Sequence, residues 1–215
     1  MSIKNIIRSL DFFSTLDSEE VDLLVSISTL HHYNSECILQ YENQESRKLL
    51  FLTSGLAEAY KIDKHDNEIF LYYVYENTLL SEISSIKSDT LISFSNIVLV
   101  EGSEILSIDY QHFKEYFIYK HILYIEFLNE IIARSEKIQS LVNREFIFDS
   151  VAKVAKMIYE DLDIFNKLKR QDISLILHIQ PATLSRVLSR LKRNKIIDIV
   201  HGKVAILDFL ALEKT

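Results

Sequence analysis

Cysteine, proline and glycine are nearly absent from this chain. Cys37 is the single cysteine, Pro181 the single proline, and Gly55, Gly102 and Gly202 the only glycines. One thiol cannot close an intrachain disulfide or supply the four thiolates that an iron-sulfur cluster ordinarily takes, so a reducing compartment, the cytoplasm, is expected. Phosphate loops and dinucleotide fingerprints need several neighbouring glycines for close backbone approach. Three scattered glycines exclude both, and with them the common nucleotide-hydrolysing enzymes. No stretch reaches about 18 uncharged apolar residues, and MSIKNIIRSLDFFSTLDSEE carries charges every few residues. Neither a signal peptide nor a membrane partner is expected.

Hydrophobic residues make up 48% of the 215 and charged residues 26%, the balance of a folded protein with room for one large domain or two modest ones. The net charge of -7 hides an asymmetry. Residues 1–144 hold 12 Lys and Arg against 22 Asp and Glu, a balance of -10, whereas residues 145–215 hold 12 against 9, a balance of +3. Between 165 and 205, Lys167, Lys169, Arg170, Arg186, Arg190, Lys192, Arg193, Lys195 and Lys203 face only Asp172 and Asp198. That local field favours a polyanion; the plainer reading is a solvated surface.

The pattern along the chain predicts an α+β protein. Asp17 can cap SEEVDLLVSIS with Glu20 as its capping-box partner, giving a helical lead-in. From about 31 to 110, short β-rich runs such as LLFLTSGLAEAYKI and EIFLYYVY alternate with polar turns, as in an antiparallel sandwich or roll. Residues 110–143 then read as one long helix. Ile118, Ile125 and Ile132 recur every seven residues, with Leu128 and Val142 between them, which suits a seam against an identical helix. His121 joins that seam, and Ser135 and Gln139 are its polar members. Packing of the same stripe on the protein's own sheet is the alternative.

Three further helical patterns follow, ending in PATLSRVLSRLKRNK, and IIDIVHGKVAILD reads as two strands turning at His201-Gly202. Three helices and a hairpin make a winged helix-turn-helix. Gln180 takes the N-cap position and Pro181 the first helical position, where no amide donor is required. Leu184, Val187, Leu188 and Leu191 form the inward stripe. Thr183, Ser185, Arg186, Ser189 and Arg190 look outward, where hydroxyls can reach phosphates and Arg186 can make a forked contact to guanine. A helix over about 171–178 would brace this one through Ile173 and Ile176 or Leu177. Lys192, Arg193, Lys195 and Lys203 would approach phosphates.

These motifs resemble the CRP/FNR-type bacterial transcription regulators over nearly the whole chain. PATLSRVLSRLKRNKIIDI is similar to that family's recognition helix, with Thr183, Ser185 and Arg186 at positions that contact DNA in relatives. Ala182 departs from the glutamate that many members carry. ILQYENQESRKLLFLTSGLAEAYKID resembles the first hairpins of the family's cyclic-nucleotide-binding roll. In YENTLLSEISSI, Asn77 and Ser81 replace glycines while Glu82 is kept. Ser93-Phe94 stands where cyclic-AMP-binding members hold the cyclic phosphate with an Arg-Ser pair. Without that arginine the anion lacks its main charge-assisted partner, so cyclic AMP is not expected.

The resemblance implies a jelly-roll-like sensor over 1–110, a dimerisation helix over 111–143 and a DNA-binding winged helix-turn-helix over 144–215. It implies a homodimer on a palindromic operator in double-stranded DNA, with RNA polymerase a further candidate partner. Tyr72, Tyr73, Glu82, Ser93, Ile122 and Ile125 are the candidate effector-pocket residues, although Tyr72, Tyr73 and Tyr75 also suit a strand core. Haem needs only one or two axial ligands, and His31, His32, His65, His112, His121, His178 and His201 are available, His121 being the best placed. The one cysteine argues against an iron-sulfur cluster, and Cys37 reads better as a small buried hydrophobe than as a redox switch. Nothing in the spacing of Cys37 and His31 or His32 marks a nucleophile and base, no metal motif occurs, and no enzyme is indicated. Two other readings stay open: a regulator without an effector, and a small-molecule-binding or interaction module whose basic end docks an acidic protein.

Overall fold

The computed structural model describes residues 2–215, with only the backbone described for 144–146. Residues up to Glu136 form one compact unit and Lys137–Thr215 a second.

The first unit opens with helices α1 (Ile3–Ser9) and α2 (Ser18–Ser26) around a 3-10 turn at Asp11–Phe13. The capping box predicted for α2 is present. Asp17 accepts from the amides of Glu19 and Glu20, each at 2.9 Å, and Glu20 accepts from the Asp17 amide at 2.9 Å. Ten strands follow: β1 (Ser28–Tyr33), β2 (Cys37–Gln40), β3 (Glu45–Ser46), β4 (Lys48–Ser54), β5 (Leu56–Ile62), β6 (Glu68–Tyr75), β7 (Thr78–Leu79), β8 (Leu91–Ile92), β9 (Asn96–Leu99) and β10 (Ser103–Asp109). They pair antiparallel into a sheet ordered β1-β10-β4-β7, a sheet ordered β2-β9-β5-β6, and the short pair β3-β8.

The first of these sheets is apolar on both faces. Leu30, Leu106, Phe51 and Leu79 lie in register across its four strands and belong to the cluster under the helices, with Ile7, Phe13 and Leu24. The alternate positions, Ile105 and Leu52, pack with Ala57, Ala59, Ile97 and Leu99 of the second sheet. Successive strand side chains point to opposite faces, which is how one sheet serves both cores. The β4–β5 turn needs glycine at Gly55. Its φ is +105°, and a Cβ there would lie 2.2 Å from Ser103 Oγ.

The single helix predicted over 110–143 is broken. The chain forms α3 (Tyr110–Phe113), a π-helical turn at Lys114–Ile118, a loop with His121 at φ +62°, and then α4 (Tyr124–Phe146). In the loop the amides of Ile122 and Leu123 both return to the carbonyl of Phe117, at 2.9 and 3.3 Å. The reason lies in packing. Phe113, Phe117, Ile118, Leu123 and Phe127 all enter the helix-side core, and the break lets residues on both sides of it do so. The predicted seam is corrected at its start: Ile118 is only 4% exposed, inside this core, and His121 lies in the loop.

The second unit contains α5 (Ser150–Glu160), α6 (Leu162–Lys167), α7 (Arg170–Ile176), α8 (Pro181–Arg193), the hairpin β11 (Ile197–Val200) and β12 (Lys203–Ile206), and α9 (Phe209–Glu213). The short α6 and α9 are additions to the predicted pattern; each contributes one buried anchor, Phe165 and Leu212. Among the described residues no helix is long and apolar enough to cross a membrane.

Lys114 is the polar anchor of the π-turn. It is 1% exposed, its Nζ donates to the carbonyls of Ile86 and Ser88 (3.4 and 2.5 Å) and to Asp89 Oδ1 (2.8 Å), and it lies 5.0 Å from the Tyr110 ring centre. Lys114→Met retains the bulk but takes the donor from Ser88 and Asp89, while the Ile86 carbonyl keeps the Tyr119 hydroxyl at 3.2 Å. The expected loss is about 2–3 kcal/mol, lowering the thermal midpoint by about 4–12 °C. An unchanged midpoint would show that residues 86–89 are held by other contacts.

Candidate nucleic-acid interface

The site is built on α7, the turn after it, α8 and the hairpin. Helix α7 buries Ile173 and Ile176, and Leu177 follows them inward. The turn is made by His178 at φ +51°, whose amide bonds to Leu175, while the Ile179 amide returns to the Ser174 carbonyl at 3.0 Å. Helix α8 starts with Pro181 at its first position. Gln180 occupies the N-cap in extended conformation, but its side chain makes no cap hydrogen bond. Leu184, Val187, Leu188 and Leu191 are buried, the stripe expected from the sequence.

That inward stripe turns the opposite face outward. Ser185, Arg186, Ser189, Arg190 and Arg193 line a shallow open depression of about 450 Å³. Arg186 Nε donates to the Ala182 carbonyl one turn back, at 3.2 Å. Its Nη atoms make no hydrogen bond among the described residues. Ser189 Oγ donates to the Ser185 carbonyl at 2.9 Å, which leaves its lone pairs outward. Thr183 is half-buried at the start of the same helix.

The hairpin turns at His201-Gly202, as predicted, with φ of +50° and +81°, a two-residue turn of the kind that matches strand twist. Lys203 is exposed beside it. Three side chains hold this wing. Asn166 pairs with the backbone of Val204 like a neighbouring strand, its amide donating to the carbonyl (2.9 Å) and its oxygen accepting from the N–H (2.7 Å). Arg170 donates to the Gly202 carbonyl at 2.9 Å, with its guanidinium 5.0 Å from the Phe165 ring centre. Burial pushes its pKa down from the ordinary value. Lys192 bonds to Asp198 (2.8 Å) and to the Ile199 carbonyl (3.3 Å). The Lys192 hydrogen bond, with that from the Ile199 amide, holds the Asp198 carboxyl below its usual range. Lys192 is therefore engaged at the base of the wing. Sequence reasoning missed Asn166 and the bond of Arg170 to the wing, because no local pattern marks a side chain that meets backbone 38 or 32 residues away.

The candidate effector residues are only partly gathered. Tyr72 Oη donates to Glu82 at 3.3 Å, and Ser93 Oγ, which donates to the Ser95 carbonyl at 2.7 Å, lies 3.4 Å from the same carboxylate. Tyr73, the next residue on β6, points to the other face and packs edge-on to Phe70, 4.9 Å between ring centres. Ile122 packs instead with the helix-side core, and Ile125 is 62% exposed on α4. Of the seam residues, Ile125, Ile132 and Ser135 are exposed on α4 and Leu128 is half-buried; Ile131, Ile138 and Val142 add further exposed apolar positions. His121 is exposed, its ring edge-on to Tyr124 at 5.7 Å. Among the described residues no group of three His, Cys, Asp or Glu is placed to hold a metal ion.

Comparison with known proteins places these elements in context. Residues 152–215 match the family described as the Crp-like helix-turn-helix domain. A doubly substituted CooA from Carboxydothermus hydrogenoformans shares 16% identity, with 95% of this chain and 94% of that one covered and a TM-score of 0.72. A putative regulator of the CRP/FNR family from Eubacterium rectale shares 17%, covering 95% and 98%, at 0.68. FixK2 from Bradyrhizobium japonicum shares 12%, covering 87% and 96%, at 0.66. At these identities the shared property is the fold. No curated protein sequence matches the chain.

Asn166→Ala removes both bonds to Val204, a buried wing residue. Its expected cost is about 1–3 kcal/mol in denaturant unfolding, with faster hydrogen exchange at the Val204 amide. Unchanged exchange would mean that the hairpin holds itself.

Proposed function

We propose that this chain, CRP/FNR-type by its Crp-like helix-turn-helix domain and its fold, is a transcription regulator that reads a palindromic DNA operator as a homodimer. The observation that carries this reading is the outward face of α8. Three arginines and two serines surround one depression there with no acidic residue in its lining. Such a face suits the major groove, where an arginine can bond to O6 and N7 of guanine and hydroxyls to phosphate or base. Arg186 is assigned to base reading, supported by outward Nη atoms on a side chain braced at Nε. Thr183, Ser185, Ser189 and Arg190 flank it, and Lys203 approaches phosphate from the wing. Lys192 acts mainly by fixing that wing, given its bonds to Asp198 and Ile199.

The dimer is supported by α4. Ile125, Ile132 and Val142, with Leu128 and Ser135, recur at heptad spacing, and the isoleucines are 62% and 56% exposed in the single chain. Apolar side chains at this period bury well against a second copy of the same helix. Two copies bring two recognition helices, hence a two-fold operator with half-sites about one DNA turn apart. The roll takes no cyclic AMP in this reading. Ser93 and Phe94 offer no cationic partner for a cyclic phosphate, and Ser93 is already buried against Glu82.

Selection of duplexes from a random pool with the purified protein tests the function. A symmetric consensus, bound more weakly as salt rises, is expected. Binding to an acidic protein without any selected DNA would favour the interaction-module reading. Arg186→Ala should weaken the selected site by about 1–3 kcal/mol and relax discrimination at one base pair. Equal loss on all sequences would assign it to phosphate. Ile132→Glu should shift the protein from dimer to monomer in sedimentation, and an unchanged mass would remove α4 as the seam.

A further inference from the structure

Glu82 is the centre of a polar group inside the first unit. Its Oε1 accepts from Tyr72 Oη and Ser95 Oγ, each at 3.3 Å. Its Oε2 accepts from the Ser95 amide at 3.2 Å and from the Phe94 amide, while Ser93 Oγ, 3.4 Å away, donates to the Ser95 carbonyl at 2.7 Å. Two consecutive backbone amides aimed at one oxygen make an anion-binding concavity, and hydroxyls complete it. Ser93 and Ser95 are buried, and the Phe94 and Ser95 amides have no other acceptor among the described residues. The donors come from two separate stretches, β6 and the β8–β9 connection, so they are placed by the fold rather than by the residues next to Glu82.

The segment that carries Glu82 is held from its other side. Arg134 of α4 donates through one Nη to the carbonyls of Leu79, Leu80 and Ser81, at 2.8, 3.1 and 2.7 Å. Those are the three residues immediately before Glu82. The Ser81 hydroxyl accepts from the Leu50 amide at 2.9 Å, fixing the same segment to β4. The carboxylate is thus seated at one end of a stretch whose other end is tied to the helix that leads out of the unit.

We propose that the amides of Phe94 and Ser95, with the hydroxyls of Tyr72 and Ser95, form a carboxylate-binding site whose ligand is the chain's own Glu82. A tethered carboxylate is present at an effective concentration that a diffusing one does not match. The site is therefore full without any small molecule, and only removal of the Glu82 side chain opens it. Through Arg134, the seating of Glu82 sets the segment on which α4 rests. A role in controlling DNA binding rests on the regulator reading above; the site itself does not.

The test is chemical rescue. Glu82→Ala should melt several degrees below the wild-type protein in sodium chloride. Sodium acetate at equal ionic strength should restore much of that loss saturably, while acetamide does not, and while wild type responds equally to both salts. Acetate acting alike on wild type and variant, or acetamide rescuing as well as acetate, would overturn the proposal. Should Glu82→Ala fail to fold, Glu82→Gln gives a second readout, because it keeps the shape and loses the charge. The Phe94 and Ser95 amide proton resonances should move upfield relative to wild type, and unmoved resonances would overturn the proposal. DNA affinity on the same samples separates the two readings: acetate rescue with no sequence-selective DNA binding in any sample supports the site and removes the regulator.

Discussion

The burial of Leu184, Val187, Leu188 and Leu191 is the constraint on which the outward face of α8 depends, since it fixes the rotation of α8 about its own axis. Each fully buried side chain of this kind stabilises the fold by about 1.5–3 kcal/mol relative to exposure. A helix turned by one residue, about 100°, would forfeit much of that and swing Arg186 toward the interior. The outward set of Ser185, Arg186, Ser189, Arg190 and Arg193 is therefore the complement of a packing solution. The wing follows from the same core. Ile197 and Val204 are buried inside the hairpin, and Asn166, Arg170 and Lys192 fix its backbone from three different helices.

In the first unit the corresponding constraint is the sheet ordered β1-β10-β4-β7, which must satisfy two cores. Its register puts Leu106 and Phe51 toward the helices and Ile105 and Leu52 toward the second sheet. The helix-side core also draws in Phe113, Phe117, Ile118, Leu123 and Phe127, and the helical path breaks at His121 to let all of them enter. Below the break, α4 is left with an exposed apolar stripe and with Arg134 on the carbonyls before Glu82. One packing demand thus shapes both the candidate seam and the link between the roll and its helix.

Much of this architecture was legible in the chain, and the parts that were not share a cause. The capping box at Asp17 and Glu20, Pro181 at the start of α8, the buried stripe of α8 and the turn at His201-Gly202 are all local, written in residues within one or two turns of each other. The break at 119–123 was not legible, because heptad spacing from Ile118 to Ile132 continues smoothly through it. Tyr72 and Tyr73 read as one aromatic cluster, yet strand alternation sends them to opposite faces.

By itself, then, the sequence determined the capped start of α2, the start of α8 and its apolar face, the turn of the wing, and that the basic charge gathers after residue 144. Hydrophobic period, capping and turn chemistry act over a few residues, so these features need no knowledge of the rest of the chain. Tertiary structure alone decided that Ile118 is core and Ile125 is not, that Lys192 holds the wing, that Asn166 completes its edge, and that Glu82 meets amides twelve and thirteen residues away. Each of these is a competition between partners distant in sequence, and it is settled only when the packed chain fixes which groups lose water and which donors they then find.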